Sequence, residues 1–460
     1  MRNIHTVIRN CRPLKQTRRL LVLLIAVALV SINAGPRLVA ARSKGAQSAV
    51  VPQTTTVTML PGATQAVRVG PRHQTNPRVA CDLASYTDVD VQLTFSRIHY
   101  FDFATNTDNA VPGNGEDRLA DIAGSHIAFT EIDEHGEDHI FVYDTVSQAI
   151  TMVPGTGRSD PSIGGNLVAF EDRSFSTNWD ETEISIYDQS TGVVTRLTDD
   201  ALMDRNPAVS PSGNVIAWEK CQTNGTGCDI YVATQTGPGT FQTRLLTGPG
   251  EDRGPATNGQ VVAYVSNKSG ENDIYFQRVD GATEMHLSIP GDQRDVSISG
   301  DLIAFESQVQ LGDLTEYDVF VYDLSSGNLY QVTNTPLNET LSDISVCNGV
   351  GRIVYAVLGA GDFDVYAFTF QVPSSTANQI DDLIALVSSF NLPDGIENSL
   401  ITKLQDALAA IGASDAATAC DALTTFISEC QAQAGKKLTA EQADQLISSA
   451  TQIKTNLGCQ

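Results

Sequence analysis

Five arginines recur at nearly the same distance from a repeated apolar triplet, and guanidinium groups are well suited to binding carboxylates. Arg118, Arg158, Arg205, Arg253 and Arg294 precede the last residue of their own triplets by 11 to 13 residues. We expect them to form an incomplete ring at one level. Either each Arg pairs with an Asp of a neighbouring repeat, or spare guanidinium groups bind the carboxylate of a peptide terminus or an acidic sugar. The acids next to them are Asp117, Asp160, Asp204, Asp252 and Asp295.

A second candidate for chemistry is an acidic loop that contains His135 and His139. Asp133 belongs to the same loop, and a carboxylate with two imidazoles can bind a divalent cation. A solvated hairpin loop explains the same residues without a ligand, and we favour this interpretation. We therefore predict no metal site and no cofactor.

Aromatic side chains in another polar segment suggest a contact surface. Phe175 and Trp179 both lie in the stretch 172–182, and Trp179 is one of only two tryptophans in the chain. An exposed indole can stack on a sugar ring or on a partner side chain. The alternative is that Trp179 packs against its own loop.

The sequence lacks the common motifs of hydrolases and nucleotide-binding enzymes. It contains no Gly-x-Ser-x-Gly, no Walker loop and no His-Glu-x-x-His. A carboxylate pair for glycoside hydrolysis has no distinguishing pattern among 54 acidic residues. The net charge of −25 disfavours nucleic acid, because phosphates need a basic surface. The sequence therefore favours a binding protein over an enzyme.

The N-terminus has the pattern of an export signal. Residues 1–34 contain six Lys or Arg and no acid, and the apolar run 20–30 is too short to span a bilayer comfortably. General secretion and the twin-arginine route both fit this segment. No later segment is apolar enough for a membrane span. We expect a mature protein that is periplasmic or extracellular in a bacterium.

The elements that must position the candidate residues are the strands of a repeat. Six apolar triplets, from Ile127-Ala128-Phe129 to Ile353-Val354-Tyr355, recur at intervals of 41, 48, 46, 41 and 50 residues. A two-residue turn precedes most triplets, and further strand-like segments follow each of them. Four antiparallel strands in each repeat are typical of a propeller blade.

We predict a mainly β protein with a propeller over residues 89–372, with six blades preferred and seven as the alternative. Residues 35–88 show no period and predict a linker without a fixed fold. The isolated strand-like segment 98–103 would then complete the last blade and close the ring. Long loops between second and third strands would place the arginines and aromatics on one loop-rich face.

The repeat region resembles the TolB-like six-bladed propellers with WD-type repeats, over the predicted propeller 89–372. The resemblance implies the propeller fold but says less about function, because such propellers include scaffolds, peptidase domains and a pectin-fragment lyase. The segments that carry it are 204–207 (Asp-Arg-Asn-Pro), 210–213 (Ser-Pro-Ser-Gly), 216–218 (Ile-Ala-Trp) and 229–231 (Asp-Ile-Tyr).

After a short linker at 373–379, apolar residues three or four apart predict helices over 380–460. A capping box at Thr439 marks the start of the fourth helix. This region resembles the FIMAH domain of exported bacterial proteins, which implies secretion, surface association and a disulfide between Cys420 and Cys459. The segments that carry the resemblance are 404–411, 419–423, 426–427, 434–439 and 457–459.

The other cysteines also predict disulfides, because export leads to an oxidising compartment. Cys221 and Cys228 flank one short polar loop and predict a local pair. Cys81 with Cys347 would join the N-terminal segment to the last blade, where the ring must close. Cys430 would then be an unpaired, buried thiol.

Taken together, these patterns predict a secreted, non-enzymatic propeller that binds a protein or glycan on its loop-rich face. The helical C-terminal module would serve surface or partner association. The alternative is a carbohydrate-active enzyme, a polysaccharide lyase or glycoside hydrolase, with a carboxylate or metal site in the propeller channel.

Overall fold

The computed structural model shows a β-propeller and a set of C-terminal helices. The predicted signal peptide at 1–34 lies outside the residues that it describes. Those residues are 49–50, 57–90, 95–113, 115–175, 181–248, 250–281, 283–311, 314–359, 361–372, 376–390, 392–412 and 415–459.

Three short strands precede the blades, namely β1 (Ala49–Val50), β2 (Thr58–Met59) and β3 (Ala63–Arg68). Blade 1 contains β4 (His73–Ala80), β5 (Leu83–Asp90), β6 (Phe95–Asp102) and β7 (Thr107–Ala110). Blade 2 contains β8 (Glu116–Ala123), β9 (His126–Ile132), β10 (Asp138–Asp144) and β11 (Ile150–Met152). Blade 3 contains β12 (Arg158–Gly164), β13 (Leu167–Asp172), β14 (Glu183–Asp188) and β15 (Val193–Arg196). Blade 4 contains β16 (Met203–Val209), β17 (Val215–Cys221), β18 (Asp229–Gly237) and β19 (Thr240–Leu245).

The remaining blades also use the N-terminal strands. Blade 5 contains β20 (Asp252–Thr257), β21 (Val261–Ser266), β22 (Asp273–Arg278) and β23 (Met285–Leu287), with β1 at its edge. Blade 6 contains β24 (Gln293–Ser299), β25 (Leu302–Leu311), β26 (Leu314–Asp323) and β27 (Leu329–Gln331), with β2 at its edge. Blade 7 contains β28 (Glu339–Cys347), β29 (Val350–Leu358) and β30 (Phe363–Gln371), with β3 as its fourth strand.

The apolar triplets form the second strand of blades 2 to 7, as predicted. Ile127, Ala128 and Phe129 are all fully buried, because each blade is covered on both faces by its neighbours. Alternate side chains of one strand therefore enter two different cores. Ile127 and Phe129 pack in the core with blade 1, whereas Ala128 packs in the core with blade 3.

The propeller has seven blades among the described residues, so the preferred count of six is wrong. The missed unit is blade 1, and the segment 98–103 belongs to its third strand instead of completing the last blade. Residues 63–88 of the predicted linker contain β3, β4 and most of β5, so this part has a fixed fold. Ser85 interrupts the apolar triplet of blade 1, which hid the repeat.

The ring closes through the N-terminal segment. Strand β3 pairs antiparallel with β30, whereas β1 and β2 pair parallel with the outer strands of blades 5 and 6. Leu60, between β2 and β3, is buried in the core of blades 6 and 7. A disulfide between Cys81 and Cys347 joins blade 1 to blade 7, in agreement with the predicted pair.

Four helices follow the propeller: α1 (Thr376–Ser389), α2 (Asp394–Gly412), α3 (Ala416–Gln433) and α4 (Ala440–Asn456). Their apolar stripes form one core that includes Leu383, Leu404 and Phe426. Thr439 and Gln442 form the predicted capping box at the start of α4. The predicted disulfide between Cys420 and Cys459 is present, and Cys430 is a buried free thiol. None of the described helices is long and apolar enough to cross a membrane.

Candidate functional site

The connections between second and third strands lie on one face of the propeller, the loop-rich face. They include residues 133–137, 173–175, 181–182 and 222–228, whereas the turns between first and second strands of blades 2 and 3 have two residues each. In blade 6 the second and third strands are ten residues long and form an extended hairpin. The innermost strand of each blade also begins on the loop-rich face, because the strands are antiparallel.

Each innermost strand carries a β-bulge near this face. In six blades the second bulge residue has a positive φ, which Asn, Asp and Gly adopt more easily than other residues. In blades 3, 4 and 5 its backbone N–H donates to a side chain of the preceding blade; for example, Gly254 donates to Glu219 Oε1 at 2.7 Å. The bulge therefore links adjacent blades. The residues are Asn76, Leu119, Asp160, Asn206, Gly254 and Asp295, with φ of 50°, 50°, 52°, 49°, 57° and 48°.

Four of the five predicted arginines occupy the first position of these bulges, which is the last residue that pairs with the second strand before the register shifts. Arg118, Arg205, Arg253 and Arg294 share this register, whereas Arg158 lies one residue earlier, opposite Asp172. The single level predicted for all five therefore holds only four. The spacing to the triplet did not reveal the difference, because it varies by two residues among the repeats.

Arg205 and Arg294 are bound within their own blades. Arg205 Nε donates to Glu219 Oε2 at 2.8 Å, and Glu219 is only 2% exposed. Glu219 also accepts bonds from Asn206 Nδ2 and the Gly254 N–H of blade 5. Arg294 Nε donates to Glu306 Oε2 at 2.8 Å in the same way. These pairs differ from the predicted ladder, since the partner is a Glu of the same blade and not an Asp of a neighbour.

The other three arginines differ in how fully they are paired. Arg158 is buried and donates to Asp172 at 3.1 Å. The side chain of Arg253 is 39% exposed and pairs with the partly exposed Glu251 at 2.8 Å. Arg253 Nη2 also donates to the Gly225 carbonyl at 2.9 Å, and its Nη1 lies 3.9 Å from Glu219. Arg118 lies 3.9 Å from Glu116, and its buried Nε has no hydrogen-bond partner among the described residues. Arg253 is thus the most exposed of the five, and Arg118 has the longest contact to an acid.

The loop between β13 and β14 presents the predicted aromatic at the surface. Phe175 is 52% exposed, and the guanidinium of Arg196 lies 4.3 Å from the centre of its ring. Glu183 accepts a bond from Arg196 at 2.8 Å, which fixes this cation over the ring. Trp179 lies outside the described residues.

The His135, His139 and Asp133 loop is organised by its own hydrogen bonds. Asp133 Oδ1 accepts the N–H groups of His135 and Glu137 at 2.8 and 2.9 Å. His139 Nε2 lies 3.3 Å from Asp133 Oδ2, and His135 Nδ1 lies 3.8 Å from it. Hydrogen bonds from Glu137 and His135 lower the pKa of Asp133 to about 2. The loop geometry therefore explains the carboxylate without a metal.

Two of the acids named beside the arginines, Asp117 and Asp204, are buried next to the bulges, which was not predicted from the sequence. Burial raises the pKa of Asp117 and Asp204 to about 7, and both residues are fully buried. Asp204 accepts a bond from Trp218 Nε1 at 2.7 Å and lies 3.4 Å from Lys220. Their position directly before an Arg in two repeats was the available signal. Because they are shielded from solvent, these acids cannot contact a large substrate.

Within the described part of the chain, one cluster has three His, Cys, Asp or Glu ligand atoms close enough to hold a metal ion. It consists of Glu219, Cys221 and Cys228. The two cysteines form the predicted disulfide, so their sulfurs are not available as thiolate ligands. No free set of three ligands therefore converges among these residues.

Comparisons with solved structures identify the fold. The β-propeller domain of the Trilobed protease from Pyrococcus furiosus, with an open velcro topology, matches with a TM-score of 0.50, 12% identity and coverage of 66% of this chain and 98% of that domain. This chain shares the β-propeller fold with that domain. Oligogalacturonate lyase in complex with manganese matches with a TM-score of 0.50, 11% identity and coverage of 70% and 99%.

A Mycobacterium tuberculosis puromycin-hydrolysing peptidase also matches, with a TM-score of 0.50 and 14% identity. The alignment covers 70% of this chain and 55% of the peptidase, so the chain spans about half of that enzyme. No protein-family model matches the sequence, and no curated protein is significantly similar to it. At these identities the similarity shows the fold alone.

Proposed function

We propose that this chain is an exported binding protein whose loop-rich face binds the carboxylates of an acidic glycan or protein. The unequal pairing of the five arginines carries the proposal. Arg205, Arg294 and Arg158 each bond through Nε to a buried acid, whereas Arg118 has only a contact of 3.9 Å and Arg253 pairs with a partly exposed acid, so a ligand carboxylate competes best at these two.

The exposed Phe175 with Arg196 adds an aromatic contact and a further cation on the same face. Together these groups suit a ligand with both ring surfaces and carboxylates, such as a uronic-acid oligosaccharide. The rest of the chain is strongly acidic, with a net charge of −25. Charge repulsion would therefore restrict binding of such a ligand to the arginine positions.

Export and the role of the C-terminal helices belong to the same proposal. Three disulfides are expected for a protein in an oxidising compartment. We assign the helices to a FIMAH-like domain for surface or partner association, supported by the capping box at Thr439 and the disulfide between Cys420 and Cys459.

Binding of oligogalacturonate by isothermal titration calorimetry tests the proposal. Arg118→Ala combined with Arg253→Ala should weaken binding at least about tenfold, because two charge-assisted contacts are lost. Arg278→Ala is the matched control, since Arg278 is an exposed Arg at the end of β22, on the opposite face. A glycan array and a pull-down from bacterial envelope extend the search to other acidic ligands. Equal affinities for the double variant and the control for every ligand found would refute the proposal.

A carbohydrate-active enzyme is the second candidate, and the fold shared with oligogalacturonate lyase favours it. Two observations weigh against it: the acids with the most strongly raised pKa values are buried, and no free ligand triad converges among the described residues. Release of unsaturated or reducing ends from polygalacturonate by the purified protein, with and without added manganese, distinguishes the two functions. Product formation would establish the enzyme.

A further inference from the structure

The innermost strand of blade 7 carries an acid whose usual partner is missing. In blades 1 and 3 the residue before the bulge bonds to the polar side chain opposite it: Gln74 Nε2 donates to Asp88 at 3.0 Å, and Arg158 Nε donates to Asp172 at 3.1 Å. Glu339 occupies this position in blade 7, but the residue opposite it is Val357. Glu339 is only 1% exposed. Its carboxyl group must therefore find partners outside its own sheet.

Glu339 finds them at the joint with blade 6. Thr333 Oγ1 lies 3.2 Å from Glu339 Oε2 and 3.1 Å from Asp318 Oδ1, so one hydroxyl group stands between two carboxyl groups. Asp318 belongs to the third strand of blade 6 and is also 1% exposed. The two acids thus meet in a buried interface between blades.

The donors that surround the two carboxyl groups in the described residues are all uncharged. Thr333 accepts the N–H of Val319 and has a single hydroxyl proton, which can serve only one of the two carboxyl groups. Thr335 Oγ1 donates to Glu339 Oε1 at 2.7 Å. Asp318 accepts bonds from Gln331 Nε2 at 3.0 Å and from the Thr335 N–H at 3.3 Å. In the described residues, neither carboxylate forms an ion pair with Lys, Arg or His within 4.0 Å.

We propose that Asp318 and Glu339 hold one proton between them, and that loss of this proton weakens the joint between blades 6 and 7. With the proton present, a neutral carboxyl group donates where the Thr333 hydroxyl does not. Without it, two buried negative charges share the Thr333 hydroxyl group, and only uncharged donors surround them in the described residues. The neighbouring groups do not relieve this repulsion: Tyr355 of β29 is neutral, and Glu316 on β26 adds negative charge.

The electrostatics agree with this geometry. Burial raises the pKa of Glu339 to about 7, and the hydrogen bond and negative charge of Asp318 act in the same direction, against bonds from Thr335 and Thr333. A carboxyl group with a pKa raised in the folded state binds its proton more tightly than in the unfolded chain. Its contribution to stability is therefore complete below the ordinary pKa and is lost as the pH rises to about 7.

Replacing Glu339 by Gln tests the proposal, because Gln74 and Gln293 already occupy the equivalent position in blades 1 and 6. Glu339→Gln and Asp318→Asn should each raise Tm at pH 8 by roughly 3 °C and change it little at pH 5. The double variant should gain no more than either single variant, since either change removes the repulsion. Glu271→Gln, at an exposed loop residue, is the control and should not change Tm at either pH.

Several results would overturn the proposal. Additive gains in the double variant would show that the two acids do not share a proton. Equal effects of Glu339→Gln at pH 5 and pH 8 would show that no proton is lost between these values. A rise in wild-type Tm on adding Ca²⁺ at pH 8 that is absent in Glu339→Gln would show that the pair holds a metal ion instead.

Discussion

Blades 4 and 7 are joined to their neighbouring blades by different contacts. All strands of blade 4 are consecutive in sequence, and its Glu219 binds Arg205 on one side and the Gly254 N–H of blade 5 on the other. Blade 7 has Thr340 and Ala356 at the positions of Arg205 and Glu219. It takes its fourth strand from the N-terminus and therefore lies where the ring closes.

The closing joint between blades 7 and 1 replaces the charged pair with other contacts. Asp343 Oδ2 accepts the N–H of Val79 at 2.8 Å, and Ser345 Oγ accepts the N–H of Cys81 at 2.9 Å. The disulfide to Cys347 lies beside these bonds. A joint within a continuous chain can thus rely on side-chain bonds, whereas the joint between the two ends of the ring adds a covalent link and a borrowed strand.

Removing the borrowed strand should have the largest effect. A chain that begins at Gly70 lacks β3, so β30 loses its outer partner and the core of blades 7 and 1 loses the buried Val67. We expect this truncation to abolish the cooperative thermal transition measured by circular dichroism. A chain that begins at Gln47 keeps every described strand and should melt like the wild type. Similar melting curves for the two truncations would show that the ring does not need β3.

Removing Glu219, the buried acid that binds both Arg205 and the Gly254 N–H, should have the next largest effect on stability. Glu219→Ala leaves Arg205 and the Gly254 N–H without their shared acceptor in a buried site. We expect a loss of about 3–5 kcal/mol in the free energy of unfolding, measured in guanidinium chloride. Glu251→Ala, which removes a partly exposed carboxylate, should cost less than about 1 kcal/mol. Equal losses would mean that burial of Glu219 does not matter.

The contribution of the joint between blades 7 and 1 to stability is tested by removing its disulfide. Cys81→Ser with Cys347→Ser opens a link between residues 266 positions apart and should cost about 3 kcal/mol. The link between Cys221 and Cys228 spans only seven positions, so its removal should cost less. Chemical denaturation of both double variants measures the difference. A larger loss for the short link would contradict a role of Cys81–Cys347 in ring closure.

The comparison also shows what sequence patterns can reveal about this fold. Apolar triplets marked six second strands because an inner strand is covered on both faces. Blade 1 was missed because Ser85 stands in the middle of its triplet, although Ser85 is itself fully buried. The Asn76-Pro77 pair matches Asn206-Pro207 at the bulge of blade 4 and could have revealed it. Proline fits there because the ladder is already interrupted.

The positions and partners of the arginines were less predictable than the strands, since they depend on the register between strands. Arg205 faces Glu219 only because the register before the bulge places them opposite each other. Spacing along one strand does not contain this information, so the partner predicted for each Arg was a neighbouring Asp. Arg158, which lies one residue earlier in the register, shows how a shift of one position changes the partner.

Replacing Arg253 should have the smallest effect on stability. This variant also tests the proposed function most directly. Arg205→Ala removes the hydrogen-bonded ion pair of the buried Glu219, which keeps only the longer contact of 3.9 Å to Arg253, and should cost about 2–4 kcal/mol. Arg253→Ala removes an exposed pair and should change stability by less than about 1 kcal/mol. If Arg253 binds ligand carboxylates, its variant should lose oligogalacturonate affinity at an unchanged Tm. Unchanged affinity and unchanged Tm together would leave Arg253 with neither a structural nor a binding role, and the anion site would then rest on Arg118 alone.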